Sequence, residues 1–376
     1  MKKAITILQI FMMLVYLGYC KQASDKQKEK ITMLITYSTG EVKVIRKDTK
    51  GNETVLPAKV GMLVYENDII RTENGKIDLQ MKTGSVIRIK EMTEISIASL
   101  ATQAGGDNKL VVDHGSVIAS VKRSSDKEGF KIATPTAIAG VRGTVFVVEV
   151  DPFEKTSSVQ VVEGKVALKP RILALEKASA DEIQKKSELA ALKRLEENEI
   201  VIEKNQAGRL NPEIERKIVK VNEKVEKAEN IEVVLKEKEV QELAKVEPQK
   251  VAEVKAFEPS QELLIEKETL VRLNTEEFSQ VEQGKDVDKI LQQKEQEMKL
   301  KQEEILKKIE EEASKKELKT EKEIQRHYNK LEIITLHDGR KITGAVIAQT
   351  DDILVIHTAK GIIRVKKEEV ESQEFK

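Results

Sequence analysis

The sequence lacks tryptophan, has a single cysteine and has no excess of charge of either sign. Across its 376 residues, aromatic side chains make up only 3%, whereas charged side chains make up 35%. So few large apolar side chains among so many charges cannot form one continuous core. We therefore predict two or three domains, with some segments that are solvated helix or loosely ordered.

The balance of charge bears on the class of partner. Lysine plus arginine and aspartate plus glutamate each total 65, so the formal net charge is zero. A nucleic-acid-binding protein would show a basic excess, because phosphate contacts dominate its affinity. We therefore predict no nucleic-acid partner, and the charge gives no reason to expect an anionic membrane surface as the main partner.

The single cysteine, Cys20, cannot form a disulfide within the chain. It follows a basic start, Met1 to Lys3, and an apolar run over 4–19, and it precedes a polar stretch over 21–30. A short basic segment followed by an apolar one is typical of a secretory signal. The run is shorter than the roughly 20 residues that a spanning helix needs.

The end of this run, residues 17–20, resembles the lipobox of bacterial lipoproteins, and spirochaetal members tolerate a residue such as Tyr19 before the cysteine. The resemblance implies that Cys20 is acylated and anchors the chain to a membrane of the cell envelope. The alternative is an ordinary signal peptide or an uncleaved anchor, in which Cys20 has no special role.

Residues 31–168 have the pattern of successive strands. Stretches such as 76–81 and 85–90 alternate apolar and polar residues, and glycines separate the stretches at intervals close to 8–12 residues. A period of two predicts half-buried strands, and regular turn signals predict an all-β domain.

Residues 134–147 are the most distinctive stretch of this domain. Pro135 biases Thr134 towards an extended backbone, and Gly140 and Gly143 permit backbone angles or close approaches that other residues do not. Arg142 could bind an anion or donate to several strand-end carbonyls, and we favour the structural role. From Thr144 onwards, β-branched and aromatic residues predict a strand buried on both faces. The predicted structural signature is Thr134, Pro135, Gly140, Arg142, Gly143, Thr144 and Phe146.

Five blocks in order resemble the FecR family, an extracytoplasmic β module of signalling and envelope proteins. They are residues 67–79, 83–89, 113–117, 130–146 and 158–166. The resemblance implies a solenoid-like or sandwich-like all-β domain that binds or organises rather than catalyses. It implies no catalytic residues, cofactor or metal.

A charged helical region follows the β domain. Residues 171–197 read as a helical insertion before a last strand, and 211–330 read as charged helices. Ile214, Ile218, Val221 and Val225 form one apolar stripe, and a long helix is predicted from Asp286 to about Asn329. Its Leu291, Met298 and Ile305 share a heptad position, so a coiled coil that joins two copies is one interpretation. A solvated single helix rich in i,i+4 pairs is the other.

The last segment, 331–376, returns to alternating strands with tight turns at Asp338-Gly339 and Lys360-Gly361. Its pattern resembles small SH3-like or Sm-like β-barrels. The predicted organisation is thus a signal peptide over 1–20, a tether over 21–30, a FecR-like domain over 31–210, a charged helical spacer over 211–330 and a small β-barrel over 331–376.

Two functions fit this organisation. The first is a lipid-anchored envelope protein, without catalysis, whose β domain binds a protein or glycan or has a structural role. The second is a membrane-anchored extracytoplasmic regulator of FecR type that senses a signal. Direct relay to a sigma factor, as in FecR regulators, would need a spanning helix after the signal and a cytoplasmic segment, and neither is recognisable.

Overall fold

The computed structural model describes residues 32–48, 50–100, 106–123, 128–247 and 250–376. Cys20 and the predicted signal and tether lie outside these residues. Within them, seventeen strands form one connected sheet and five form a second sheet. The helices lie between and around these sheets. No helix in the described part of the chain is both long and apolar enough to cross a bilayer.

The seventeen strands form two layers. The first layer has the order β3-β2-β5-β8-β9-β10-β11-β14-β15 and the second has the order β4-β1-β6-β7-β9-β12-β13-β16-β17. The strands are β1 (Met33–Thr39), β2 (Val42–Lys47), β3 (Glu53–Pro57), β4 (Leu63–Val64), β5 (Ile69–Thr72), β6 (Lys76–Met81), β7 (Val86–Ile89), β8 (Glu94–Ser99), β9 (Gly106–Ser120), β10 (Glu128–Ala133), β11 (Ala137–Val141), β12 (Val145–Val150), β13 (Ser157–Glu163), β14 (Lys165–Pro170), β15 (Ile200–Glu203), β16 (Gln206–Leu210) and β17 (Ala252–Ala256).

Strand β9 belongs to both layers. Its first part pairs with β8 and β10, and its last part, from Gly115 on, pairs with β7 and β12. Gly115 lies where the strand changes layer. It has φ +92°, and a Cβ there would lie 2.2 Å from Thr93 Oγ1, so only glycine fits.

The core lies between the two layers, as the alternation predicts. Ile77 and Leu79 on β6 and Ile87 and Ile89 on β7 are fully buried in it. Each such side chain contributes roughly 1.5–3 kcal/mol on burial. The polar residues between them should face water on this pattern.

That last expectation is wrong for β6 and β7. Asp78, Gln80 and Arg88 are all at most 1% exposed, because residues 266–273 lie across this outer face. The guanidinium of Arg88 donates to both carboxylate oxygens of Asp78, at 2.7 and 2.8 Å, and to the carbonyl of Thr269 at 2.9 Å. The 266–273 segment is therefore fixed to the sheet by a buried ion pair.

Two further contacts complete the attachment of the 266–273 segment. The amide of Val271 donates to Asp78 Oδ2 at 2.9 Å. The side-chain amide of Gln80 bonds both backbone groups of Leu273, accepting at 2.7 Å and donating at 2.8 Å. Polar side chains on the sheet thus satisfy the backbone of residues 269–273, which follow α7 and belong to neither helix nor strand, as burial requires.

The helices fall into three groups by position. Three short ones lie between β14 and β15, three follow β16, and four lie between β17 and the second sheet. They are α1 (Leu173–Lys177), α2 (Ala180–Lys185), α3 (Ser187–Glu196), α4 (Pro212–Lys227), α5 (Ile231–Leu235), α6 (Lys238–Leu243), α7 (Gln261–Glu268), α8 (Thr275–Glu282), α9 (Val287–Ser314) and α10 (Glu321–Tyr328).

The apolar stripe predicted on α4 is confirmed, since Ile214, Ile218, Val221 and Val225 are all buried in the core of the β layers. Two features of the region 211–330 differ from a run of charged helices. Strand β17 lies within it and extends the second layer beside β16.

The second difference concerns the long helix, which ends at Ser314 instead of reaching Asn329. Thr320 starts a separate helix, α10, through a capping box with Glu323. On α9, Leu291 is buried beside β1 and Ile305 packs against the helix–sheet core near the C-terminus. These two positions of the predicted heptad contact the rest of the same chain, and the coiled coil between copies stays a prediction.

The second sheet has the order β21-β20-β19-β18-β22, and all its pairs are antiparallel. Gly344 lies within β19, where pairing passes from β18 to β20, and a Cβ there would lie 2.5 Å from the carbonyl oxygen of His357. A closed barrel is not found within the described residues, because β21 and β22 are the two edges of the sheet and do not pair with each other. A short 3₁₀ turn at Lys367–Glu369 connects them. The strands are β18 (Glu332–Leu336), β19 (Lys341–Gln349), β20 (Ile353–Thr358), β21 (Gly361–Lys366) and β22 (Val370–Phe375).

The buried pair predicts a large effect for Arg88→Met. The change leaves Asp78 buried without its cation, which typically costs about 3–5 kcal/mol. The free energy of unfolding from urea denaturation measures it. Arg71→Met is the matched control, because Arg71 pairs with Glu94 on the surface and should cost less than about 1 kcal/mol. Equal losses for the two variants would contradict the role given to the buried pair.

Candidate functional site

The signature segment begins at the turn between β10 and β11. Thr134 is buried there, and its backbone amide donates to the carbonyl of Ala137 at 2.8 Å while its Oγ1 accepts from the amide of Ala137 at 2.9 Å. Further along, Thr144 donates from Oγ1 to the carbonyl of Lys165 at 2.9 Å, and Phe146 is fully buried in the core. The strand that follows, β12, is buried on both faces, as predicted.

The two glycines of the signature differ. Gly143 has φ +67°, in the left-handed region that favours glycine. Gly140 lies in β11 with space for a Cβ, whose nearest neighbour would be 3.8 Å away, so the conformational role expected of it is wrong. Arg142 is exposed and borders an open groove that Lys131 and Arg123 also line.

Helix α4 supplies a carboxylate to the signature turn that the sequence patterns do not reveal. Oε1 of Glu215 accepts from Thr136 Oγ1 at 2.7 Å and from the amide of Ser157 at 2.6 Å. The hydroxyl of Ser157 in turn donates to Thr134 Oγ1 at 2.7 Å. Glu215 is 1% exposed, so this is a buried polar cluster under the turn.

A second side chain of α4 holds the same turn. The amide of Asn222 donates to the carbonyls of Pro135, at 2.8 Å, and Arg171, at 3.0 Å, and its oxygen accepts from the amide of Leu173. Glu215 and Asn222 are seven residues apart, on one side of the helix and next to its apolar stripe. That spacing is the signal by which the sequence could have revealed them.

Burial dominates the electrostatics of Glu215. It raises the pKa of this carboxyl to about 7, although the bonds from Thr136 and Ser157 favour the charged form. The turn is therefore held by an acid that is uncharged in mildly acidic conditions.

A cavity of about 410 Å³ lies where the β layers, the helices and the second sheet meet, and we call it the junction cavity. Its walls come from the strands β6, β7 and β9, from α7 and α9, and from the turn after β19. The residues that line it are Lys76, Arg88, Lys90, Glu91, Met92, Ser116, Glu262, Ile265, Glu266, Thr269, Met298, Gln302, Gln349, Thr350, Asp351 and Lys367.

Opposite charges are paired in this wall. Asp351 contacts the ammonium of Lys76 and accepts a 2.9 Å hydrogen bond from the hydroxyl of Tyr37. Burial alone would raise the pKa of Asp351, but Lys76 and Tyr37 outweigh it and lower that pKa. Four basic and four acidic residues line the cavity, so its lining has no net formal charge.

Two buried polar atoms of the cavity wall differ from the others in their hydrogen bonding. Ser116 Oγ and Glu266 Oε2 are the buried side-chain polar atoms for which no hydrogen-bond partner is found in the described parts of the chain. The ammonium of Lys90 lies 3.1 Å from Glu266 Oε2, which balances its charge. The junction cavity is the candidate site, because the buried polar atoms that make no hydrogen bond within the described residues belong to its wall.

Glu215 predicts a pH-dependent stability. The folded chain keeps the proton of Glu215 up to about pH 7, whereas the unfolded chain loses it at the ordinary pKa of about 4.5. The stabilisation by the protonated carboxyl is therefore full below about pH 4.5 and is lost as the pH rises to about 7. Glu215→Gln removes this titration. From about pH 5 to pH 8, the free energy of unfolding of the wild type should therefore fall by about 1–3 kcal/mol more than that of the variant.

The control for that variant is Glu213→Gln, an exposed residue on the first turn of the same helix. It should leave the pH profile of unfolding nearly unchanged. Profiles for Glu215→Gln and wild type that run parallel over this range would contradict the assignment.

Comparison with known proteins finds a family match for part of the chain. Residues 68–167 match the family model described as FecR protein. No curated protein matches the sequence.

Two crystal structures of a candidate anti-sigma factor from Parabacteroides distasonis ATCC 8503 are similar in part. Each has 15% identity, and the alignment covers 38% of this chain and 53% of that one, so this chain spans about half of that protein. The TM-score is 0.28 in both cases, which carries no argument. What the comparisons confirm is the resemblance to the FecR domain, over residues 68–167.

Proposed function

We propose that this chain is an extracytoplasmic signal-sensing regulator of FecR type, held at a membrane by its N-terminal segment and without catalytic activity. The observation that carries the proposal is the match of residues 68–167 to the FecR family. The sequence patterns favoured a static binding or structural module and kept the regulator as the alternative. The family match supports the alternative more than the static module.

The packing of the β layers supports a sensing role. The signature turn is held by Glu215 and Asn222 of α4, and the outer face of β6 and β7 is held by the 266–273 segment. A change in the β layers therefore reaches the helices directly. A ligand that binds one arrangement of these parts better than another shifts the population towards it, and a membrane partner can detect that shift.

The regulator hypothesis predicts a transcriptional phenotype. Deleting the gene should change a small, defined set of transcripts, and the wild-type chain supplied in trans should restore them. Asn222→Ala, which removes one of the two α4 side chains that hold the signature turn, should restore them poorly at equal protein level. RNA sequencing of five strains measures this: the parent, the deletion, and the deletion supplied with wild type, Asn222→Ala or an Asn52→Ala control in an exposed loop.

A static envelope module predicts a different pattern. Loss of the chain would then alter envelope integrity while every transcript in the set stayed at its wild-type level. That outcome would refute the regulator proposal.

The membrane attachment is tested through Cys20. If Cys20 is acylated, cells given radiolabelled palmitate should label the wild-type chain but not a Cys20→Ala variant, which should also leave the membrane fraction. Membrane-bound but unlabelled wild-type chain would refute the lipid anchor and favour an uncleaved N-terminal anchor instead.

A further inference from the structure

The buried side-chain polar atoms that make no hydrogen bond within the described residues lie close together in the fold. Ser116 Oγ, on β9, and Glu266 Oε2, on α7, come from elements far apart in the chain, yet both residues line the junction cavity. Glu266 is only 8% exposed. A buried hydroxyl without a hydrogen bond, as at Ser116, costs about 1–3 kcal/mol. Glu266 Oε2 has the ammonium of Lys90 at 3.1 Å to balance its charge and makes no hydrogen bond within the described residues. A molecule bound in the junction cavity would lie next to both atoms.

The rest of the wall indicates the chemistry of that molecule. Gln302 of α9 and Gln349 of β19 present amides, each of which can both donate and accept. Met92, Ile265 and Met298 add apolar surface. Hydroxyl groups on a small carbon skeleton match such a lining, since each hydroxyl both donates and accepts.

A charged ligand fits the cavity less well. All five N–H donors of Arg88 are used, by Asp78, by the backbone oxygens of Glu266 and Thr269 and by the hydroxyl of Thr269. The ammonium groups of Lys76 and Lys90 already face carboxylates. With four acidic residues beside its four basic ones, the lining has no net positive charge to attract an anion.

We propose that the junction cavity binds a small neutral sugar, of monosaccharide or disaccharide size. Its hydroxyls donate to Glu266 Oε2 and exchange hydrogen bonds with Ser116 and the two glutamines. The volume of about 410 Å³ lies within the range of roughly 300–1,000 Å³ typical of ligand sites. The inference rests on the proposed function in one respect: it names the class of signal that the regulator would sense.

Binding is measured on the full chain purified in detergent, by ligand-observed NMR and calorimetry. The probes are glucose, N-acetylglucosamine and maltose, with glycylglycine and inorganic phosphate as charged comparators. At least one sugar should bind, and neither comparator should. Ser116→Ala and Glu266→Gln should each weaken that sugar about tenfold, which corresponds to about 1.4 kcal/mol.

Two features keep this test decisive. Ser116→Ala removes a hydroxyl that has no hydrogen-bond partner in the described chain, so it should fold normally even if Glu266→Gln does not. Glu268→Gln is the matched control, because Glu268 lies on the same helix, does not line the cavity and pairs with Lys301. It should leave sugar binding unchanged.

Several results would overturn the proposal. They are the absence of binding by all three sugars, preferential binding of glycylglycine or phosphate, and sugar binding that Ser116→Ala leaves intact. The result is separable from the proposed function. A chain that fails to bind sugar but restores the transcripts refutes the ligand class alone, whereas a chain that binds sugar but controls no transcript refutes the regulator alone.

Discussion

The buried ion pair between Asp78 and Arg88 is the contact on which the arrangement of this protein depends. Removing two charges from water is costly, and the mutual attraction offsets that cost only when the remaining donors and acceptors are also satisfied. Here they are, because the carbonyls of Glu266 and Thr269 and the amide of Val271 complete the pair. The hydrogen bonds of the ion pair are therefore complete only when the 266–273 segment is packed on the β layers.

This constraint explains why the region after the β layers is not a free spacer. The 266–273 segment begins in the last turn of α7, and the same helix carries Ile265 into the core shared with the second sheet. The junction cavity lies beside the same pair, with Arg88 in its wall. A ligand there would contact the β layers, the helices and the second sheet at once. The FecR match covers only residues 68–167, yet the site depends on residues well beyond them.

Sequence patterns predicted the elements better than their contacts. The alternation over 76–81 and 85–90 correctly predicted which side chains of β6 and β7 lie in the core. It wrongly predicted that Asp78, Gln80 and Arg88 face water. A local pattern cannot reveal a covering segment that lies 193 residues further along the chain. The stripe on α4 likewise predicted its buried face but not the roles of Glu215 and Asn222. The break after Ser314 was readable in principle, since Thr320 and Glu323 form a capping box.

Hydrogen exchange at the amides of Val271 and Leu273 tests the central claim most directly. These amides lie outside helix and strand, and their acceptors are the side chains of Asp78 and Gln80. If the buried pair fixes the segment to the sheet, both should exchange as slowly as the amides of β6 and should open only when the β layers unfold. Rapid exchange at both, at rates typical of an exposed loop, would show that the segment is not held there and would contradict the account.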